Sequence, residues 1–131
     1  MKKTTLTIIC LALLFSSCTK NKLIIDPDNS LIGLWNYSDF SNNTYIYARS
    51  QEFVETQGYI FNPDGTLTER NITGWCATPP LSFSDNRGDW SIKDDTLITV
   101  NVEYWGGTRT YMLDIESITA DSLKLVYILV N

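Results

Sequence analysis

The chain is expected to fold as a small all-β domain, an antiparallel up-and-down barrel of about seven to nine strands, set behind a short N-terminal address. Three observations predict this. From Leu31 onward, β-branched and aromatic residues alternate with polar ones, and no segment keeps a helical period for three turns. Turn signals separate the alternating runs, at Asn62-Pro63-Asp64-Gly65, Lys93-Asp94-Asp95-Thr96 and Gly106-Gly107. The first run opens on Ile32-Gly33-Leu34-Trp35-Asn36-Tyr37, a glycine two residues ahead of a tryptophan.

Ahead of that domain, Met1-Lys2-Lys3 is a basic start, Leu6 to Phe15 an apolar run of about ten residues, and Ser16-Ser17-Cys18 a small-residue end, which is the order of a secretory signal peptide. The run is half of the roughly twenty apolar residues a spanning helix needs. Phe15-Ser16-Ser17-Cys18 resembles the lipobox of bacterial lipoproteins, with Phe15 where leucine is usual. The resemblance implies cleavage after Ser17 and acylation of Cys18. Residues 1–17 are then a lipoprotein signal peptide, 18–30 the lipidated cysteine and a flexible tether, and 31–131 the barrel domain. Cys10 leaves with the signal peptide and Cys76 stays as the thiol of the mature chain, so no intramolecular disulfide forms. Thr19 directly after the cysteine, rather than Asp, resembles lipoproteins sorted to an outer membrane, so the expected location is the cell envelope. The tether, Thr19 to Ser30 with Pro27 inside it, has no period of either kind, and about twelve extended residues reach about 40 Å.

The formal charge is -5, and about -7 once Lys2 and Lys3 are removed. No Lys/Arg cluster occurs in the mature chain, so nucleic acid and electrostatic adhesion to anionic lipid are disfavoured as partners. The bilayer is expected as a partner through the acyl chains on Cys18 alone, which hold at about 0.8 kcal/mol per buried methylene.

Within the domain, Gly106-Gly107 as a two-residue hairpin loop places Tyr104 opposite Arg109, Val102 opposite Tyr111, Val100 opposite Leu113 and Ile98 opposite Ile115. One face of that hairpin is then apolar, while Glu103, Asn101 and Thr99 face water opposite Thr110, Met112 and Asp114. A three-residue loop from Pro63 to Gly65 puts Phe61 across from Leu67. The loop around Lys93 to Thr96 has to be odd or bulged, since only then do Trp90 and Ile92 share a face with Ile98 and Val100. Leu123 to Val130 is a last strand, central or closing the barrel against Trp35, and Tyr45 to Arg49 with Phe53 to Phe61 form one bent strand or two short ones. Asn71 to Leu81, which holds Trp75, Cys76 and adjacent prolines, is expected as a long loop, a surface excursion pinned by Trp75 or a lid.

The absence of histidine removes His general bases, Ser-His-Asp triads and His-ligated zinc. The acidic residues at Asp94-Asp95 and from Asp85 to Asp89 are expected in turns, with neither glycosidase nor calcium-loop spacing. No catalytic residue, metal site or cofactor is expected, and the protein is not expected to be an enzyme.

Gly33-Leu34-Trp35, the Pro63-Asp64-Gly65 hairpin, Gly88-Asp89-Trp90 and the apolar last strand resemble lipocalin-like barrels of short bacterial lipoproteins, over Ile32 to the C-terminus. That resemblance implies an indole plugging the closed end of the barrel. The chain lacks the T-D-Y loop motif of full-size lipocalins, and the arginine covering the tryptophan in that family has no clear counterpart, Lys124 being the candidate. A small, mostly apolar ligand, uncharged or weakly acidic, is expected inside the barrel near Tyr59, Trp90, Val102, Tyr104 and Tyr111. Arg109 at the hairpin mouth could meet a carboxylate or stack as a rim charge. The alternative is a structural or interaction module that binds another envelope protein through its surface or open end. If acylation of Cys18 is the membrane link, Cys18→Ala releases the domain from membranes. Fractionation with membranes that persists through a high-salt wash would overturn that reading.

Overall fold

Alternation along each strand gives one inward and one outward row of side chains, and in this chain the inward rows close into a ring. The computed structural model describes residues 31–74 and 79–130. It contains eight strands: β1 (Gly33–Ser41), β2 (Thr44–Ser50), β3 (Gly58–Phe61), β4 (Thr66–Thr73), β5 (Ser82–Ile92), β6 (Leu97–Tyr104), β7 (Gly107–Ile118) and β8 (Ser122–Leu129). All neighbours are antiparallel, and the strands form a closed barrel in the order β1-β2-β8-β7-β6-β5-β4-β3. The expected closed antiparallel barrel is therefore present, and every strand pairing lies between Gly33 and Leu129.

Strands β3 to β8 run up and down in sequence order, while β1 sits between β2 and β3. The link 51–57 must therefore cross β1, and it does so on the outside. Asn36, outward-facing because Trp35 points in, is buried under it, donating from Nδ2 to the Glu52 carbonyl and accepting from the Val54 N–H. Of the stretch Phe53 to Phe61, only Gly58 onward is strand. The last strand closes the ring against β2, not against the strand of Trp35, because β1 already has a partner on each side.

The Phe61–Leu67 hairpin has the expected register, with Gly65 at a positive φ and the Asn62 N–H bonded to the Thr66 carbonyl. The loop before β6 is odd, pairing Ile92 with Ile98 and Trp90 with Val100. The β6–β7 register differs from expectation. Its loop is Trp105-Gly106, with Tyr104 opposite Gly107, Val102 opposite Arg109, Val100 opposite Tyr111 and Ile98 opposite Leu113. The cause is that Gly107, not Gly106, takes the open ladder position at φ 136°, while Gly106 lies against the Tyr104 ring. The shift is two residues, so every side chain keeps its face.

Two segments expected to be loops are partly strand. Asn71 to Thr73 extend β4, paired with Ser82 to Ser84. Trp75 and Cys76 lie outside the described residues. Asp85 and Asp89 belong to β5, where cross-strand partners satisfy them on the outer face. Arg70 grips Asp85 through two hydrogen bonds at 2.6 and 2.8 Å, and Asn101 donates to Asp89.

The entry of the chain and the turns after β3, β5 and β7 mark one end of the barrel, and this end is sealed. Leu31 and Trp35 are fully buried, and the indole N–H donates to the Leu31 carbonyl at 2.9 Å. Arg49 covers the indole at 4.1 Å and donates to the carbonyls of Ile32 and Ala120, tying the chain entry to the β7–β8 turn. The cation over the tryptophan is thus Arg49 of β2, whereas Lys124 is exposed. Gly33 permits it, since a Cβ there would stand 2.7 Å from the Arg49 Nη1. Trp35→Ala should cost about 3 to 5 kcal/mol in urea unfolding, as large-to-small core changes do. A loss below about 1 kcal/mol would mean that the indole does not carry the seal.

Candidate functional site

Above the seal the interior is a packed core. Phe61, Leu67, Ile98, Val100, Val102, Leu113, Ile115, Leu123 and Leu125 are all buried, and Trp90 stands edge-on to Phe61 with its N–H on the Asn62 carbonyl. A barrel of eight strands is just wide enough for side chains to fill, and these fill it. At the far end a cleft of about 740 Å³ opens, lined by side chains that include Phe40, Tyr45, Glu69, Arg109, Tyr111 and Leu129.

Under that cleft lies a polar layer. Glu69 is in phase with Leu67 on β4 and faces inward, 3 % exposed. Its Oε1 accepts from the Tyr111 hydroxyl, and its Oε2 accepts from Asn71 Nδ2 and Arg109 Nη2, each at 2.7 Å. The Tyr59 hydroxyl lies 2.9 Å from that of Tyr111 and 2.7 Å from that of Tyr127, which is 2.8 Å from that of Tyr47. A phenol has one proton to give, and the proton of Tyr111 goes to the carboxylate. Tyr59 then donates toward Tyr111, with Glu69 Oε1 as a second, longer acceptor at 3.4 Å, while Tyr127 donates to Tyr59 and Tyr47 to Tyr127. The result is a one-way chain of four hydroxyls ending on Glu69, with each bond polarising the next.

The rim is amphipathic. A bulge in β1 between Tyr37 and Asp39 shifts the phase by one, so that Phe40 rather than Asp39 points in, against Tyr45 at 4.7 Å between ring centroids. Tyr45 meets Tyr127 edge-on, and Leu129 and Val130 continue this apolar side. Across the cleft stand Asn71, Arg109 and Gln57. The Arg109 side chain is 53 % exposed, lies 5.3 Å from the Tyr111 ring and uses Nη2 on Glu69.

Of the residues expected to touch a ligand, Arg109 and Tyr111 line the cleft. Tyr59 lies beneath its floor, Val102 and Trp90 are core, and Tyr104 stands outside on the β6–β7 tip, half exposed. Glu69, Asn71, Tyr127 and Phe40 were not expected there. The signal for Glu69 was the Phe61–Leu67 register, which two residues on sets Tyr59 opposite Glu69. Among the described residues, no group of three or more His, Cys, Asp or Glu is placed to hold a metal ion.

Burial pushes the phenols of Tyr47, Tyr59, Tyr111 and Tyr127 well above the ordinary tyrosine value, helped by Tyr127 beside Tyr47, Tyr111 beside Tyr59, Glu69 beside Tyr111 and Tyr59 beside Tyr127. The folded barrel therefore keeps four protons that the unfolded chain gives up above about pH 10. The stability these groups contribute is fully present below about pH 10 and is lost as pH rises beyond it, steeply because four groups share the same burial. Phenolate absorbance from these four residues should appear together with loss of the β-sheet circular dichroism signal. Four phenolates forming while the sheet signal persists would contradict the buried chain. No family model, curated protein or solved structure matches the sequence.

Proposed function

We propose that the chain is a lipid-anchored envelope protein, tethered through Cys18 in an outer membrane, whose lipocalin-like barrel holds a small, mostly apolar molecule in its open end. The observation that carries this reading is the cleft itself. Its volume of about 740 Å³ falls within the roughly 300 to 1,000 Å³ of small-molecule sites, and it joins an apolar wall to a few convergent polar groups. The ligand lies across the mouth and not in the filled interior, with its apolar body against Phe40, Tyr45 and Leu129.

The head group is a hydrogen-bond acceptor, because the half-exposed guanidinium of Arg109 on the cleft wall offers donors only. Glu69 already offsets the charge of Arg109, so a neutral or weakly acidic head suits the site better than a multiply charged one. The anchor reading rests on the ordered features ending at Cys18, and Arg49 over Trp35 adds to the resemblance to lipocalin-like barrels.

Calorimetric titration with fatty acids, isoprenoid alcohols and aromatic carboxylates tests the site. Arg109→Ala should weaken a carboxylate ligand about tenfold or more, since a hydrogen bond to a charged group is worth about 1.5 to 3 kcal/mol, and should barely change an uncharged one. Equal affinity of the variant for both classes would move the head group elsewhere. Failure of the whole panel to bind would favour the open end as a protein-binding surface.

A further inference from the structure

The open end carries a second feature that ligand binding leaves unused. Strand β5 leaves β6 at the Gly88–Val102 pair, and β8 leaves β7 at the Leu129–Tyr111 pair, so residues 103–110 stand above the rim as a two-stranded ribbon. At its tip Trp105 is fully exposed, at 101 % of its reference area, beside the half-exposed Tyr104. Leu129 and Val130 end β8 at the foot of this ribbon, and Phe40 lies near the end of β1 on the cleft rim. Among the described residues, seven of the nine exposed large hydrophobic side chains lie at this end, Val54 and Ile92 being the exceptions.

We infer that this rim docks on a lipid bilayer, with Trp105 entering the headgroup region and the cleft opening onto the membrane. Three observations select a bilayer over a protein. The apolar side chains sit on three separate projecting elements around an open cleft. A protein partner would need matched packing against that ragged outline, whereas lipid conforms to it. Tryptophan and tyrosine are the residues that settle at a membrane–water boundary, where an apolar ring and a polar N–H or hydroxyl are both satisfied. The chain enters the barrel at Leu31, at its sealed end opposite the rim, and on the reading of Cys18 as the anchor the tether is residues 19–30. From Thr19 they reach about 40 Å when extended. The barrel is about 30 Å tall, from the twelve residues of β7 at about 3.3 Å each and a strand tilt near 40°. A tether held in a membrane at its far end is therefore long enough for the barrel to turn and set its mouth on that same membrane.

The charges at this end do not drive the docking. Arg109 is paired with Glu69, Arg70 with Asp85, and both lysines of the barrel, Lys93 and Lys124, lie toward the sealed end. Neutral lipid is therefore sufficient, and insertion is apolar.

The test uses the chain from Thr19 onward, which retains every strand pairing and carries no acyl group, so failure of the anchor reading at Cys18 and failure here are read separately. It is floated with phosphatidylcholine vesicles, and insertion is read by quenching of tryptophan with lipids brominated near the headgroup. The expected result is co-flotation with quenching, reduced at least tenfold by Trp105→Ser and by Leu129→Ser, and unchanged by Val54→Ser, which alters an exposed apolar side chain away from the rim. No co-flotation, or co-flotation insensitive to both rim variants, overturns the inference. So does binding confined to anionic vesicles and abolished by salt. A dimer in sedimentation that Trp105→Ser dissociates also overturns it and assigns the rim to a second copy of the chain.

Discussion

A carboxylate inside a barrel core sets a condition that the surrounding strands have to meet. Glu69 on β4 is almost wholly excluded from water, and an unpaired charge there would cost more than a small domain can sustain. Its oxygens accept from donors on β4 and β7, and Tyr111 links it through Tyr59, Tyr127 and Tyr47 to β3, β8 and β2. One charged group thus fixes the inward side chains of five strands. The pair it makes with Arg109 is lopsided, with the carboxylate buried and the guanidinium half in water. That arrangement leaves the cation hydrated, so only one of the two desolvation penalties of a fully buried ion pair is incurred.

The polar layer also divides the barrel into two parts with different roles. Below it, aliphatic and aromatic side chains such as Phe61, Leu67, Trp90, Val100 and Leu113 fill the barrel interior, and the seal by Leu31, Trp35 and Arg49 completes the core. Above it, strands separate from their neighbours and the interior opens. Residues that hold the fold and residues that line the cleft therefore occupy opposite ends of the same strands. Tyr111 belongs to both, with its ring at the cleft and its hydroxyl in the chain below.

What could be read in the amino-acid order was phase; what could not was closure. The β6–β7 hairpin has its turn one residue from the place that two glycines suggest, yet Val100, Val102 and Tyr111 face inward as expected because the resulting slip is even. The Phe61–Leu67 register was legible from Pro63 and Gly65, and carried two residues further it already contained Glu69 opposite Tyr59. By contrast, nothing local to Arg49 marks it as the cover of Trp35. That contact depends on β2 lying beside β1, and on Gly33 leaving room. The exchange of β1 and β2 depends on a link whose burial of Asn36 appears only once the ring is closed. The site was partly legible for the same reason. Alternation named Tyr111 and Arg109, but the depth at which a barrel fills is a matter of summed side-chain volume. Val102 and Trp90, correct in phase, proved to be core.

The rim is where pairing ends, and its residues answer to fewer constraints than those of the ladder. A strand residue flanked by two neighbours has its backbone satisfied and its side chain committed to one face, so it can change little without loss of packing. Residues 103–110, with a partner on one side only, and the end of β8 beyond Leu129 are released from that constraint. They can carry exposed indole and aliphatic groups that would be destabilising in the ladder. Local opening there leaves the sealed end intact, since the bonds of Leu31, Trp35 and Arg49 lie a full strand length away. A barrel sealed at one end and released from pairing at the other thus combines a single core packing with a mouth free of the ladder's constraint.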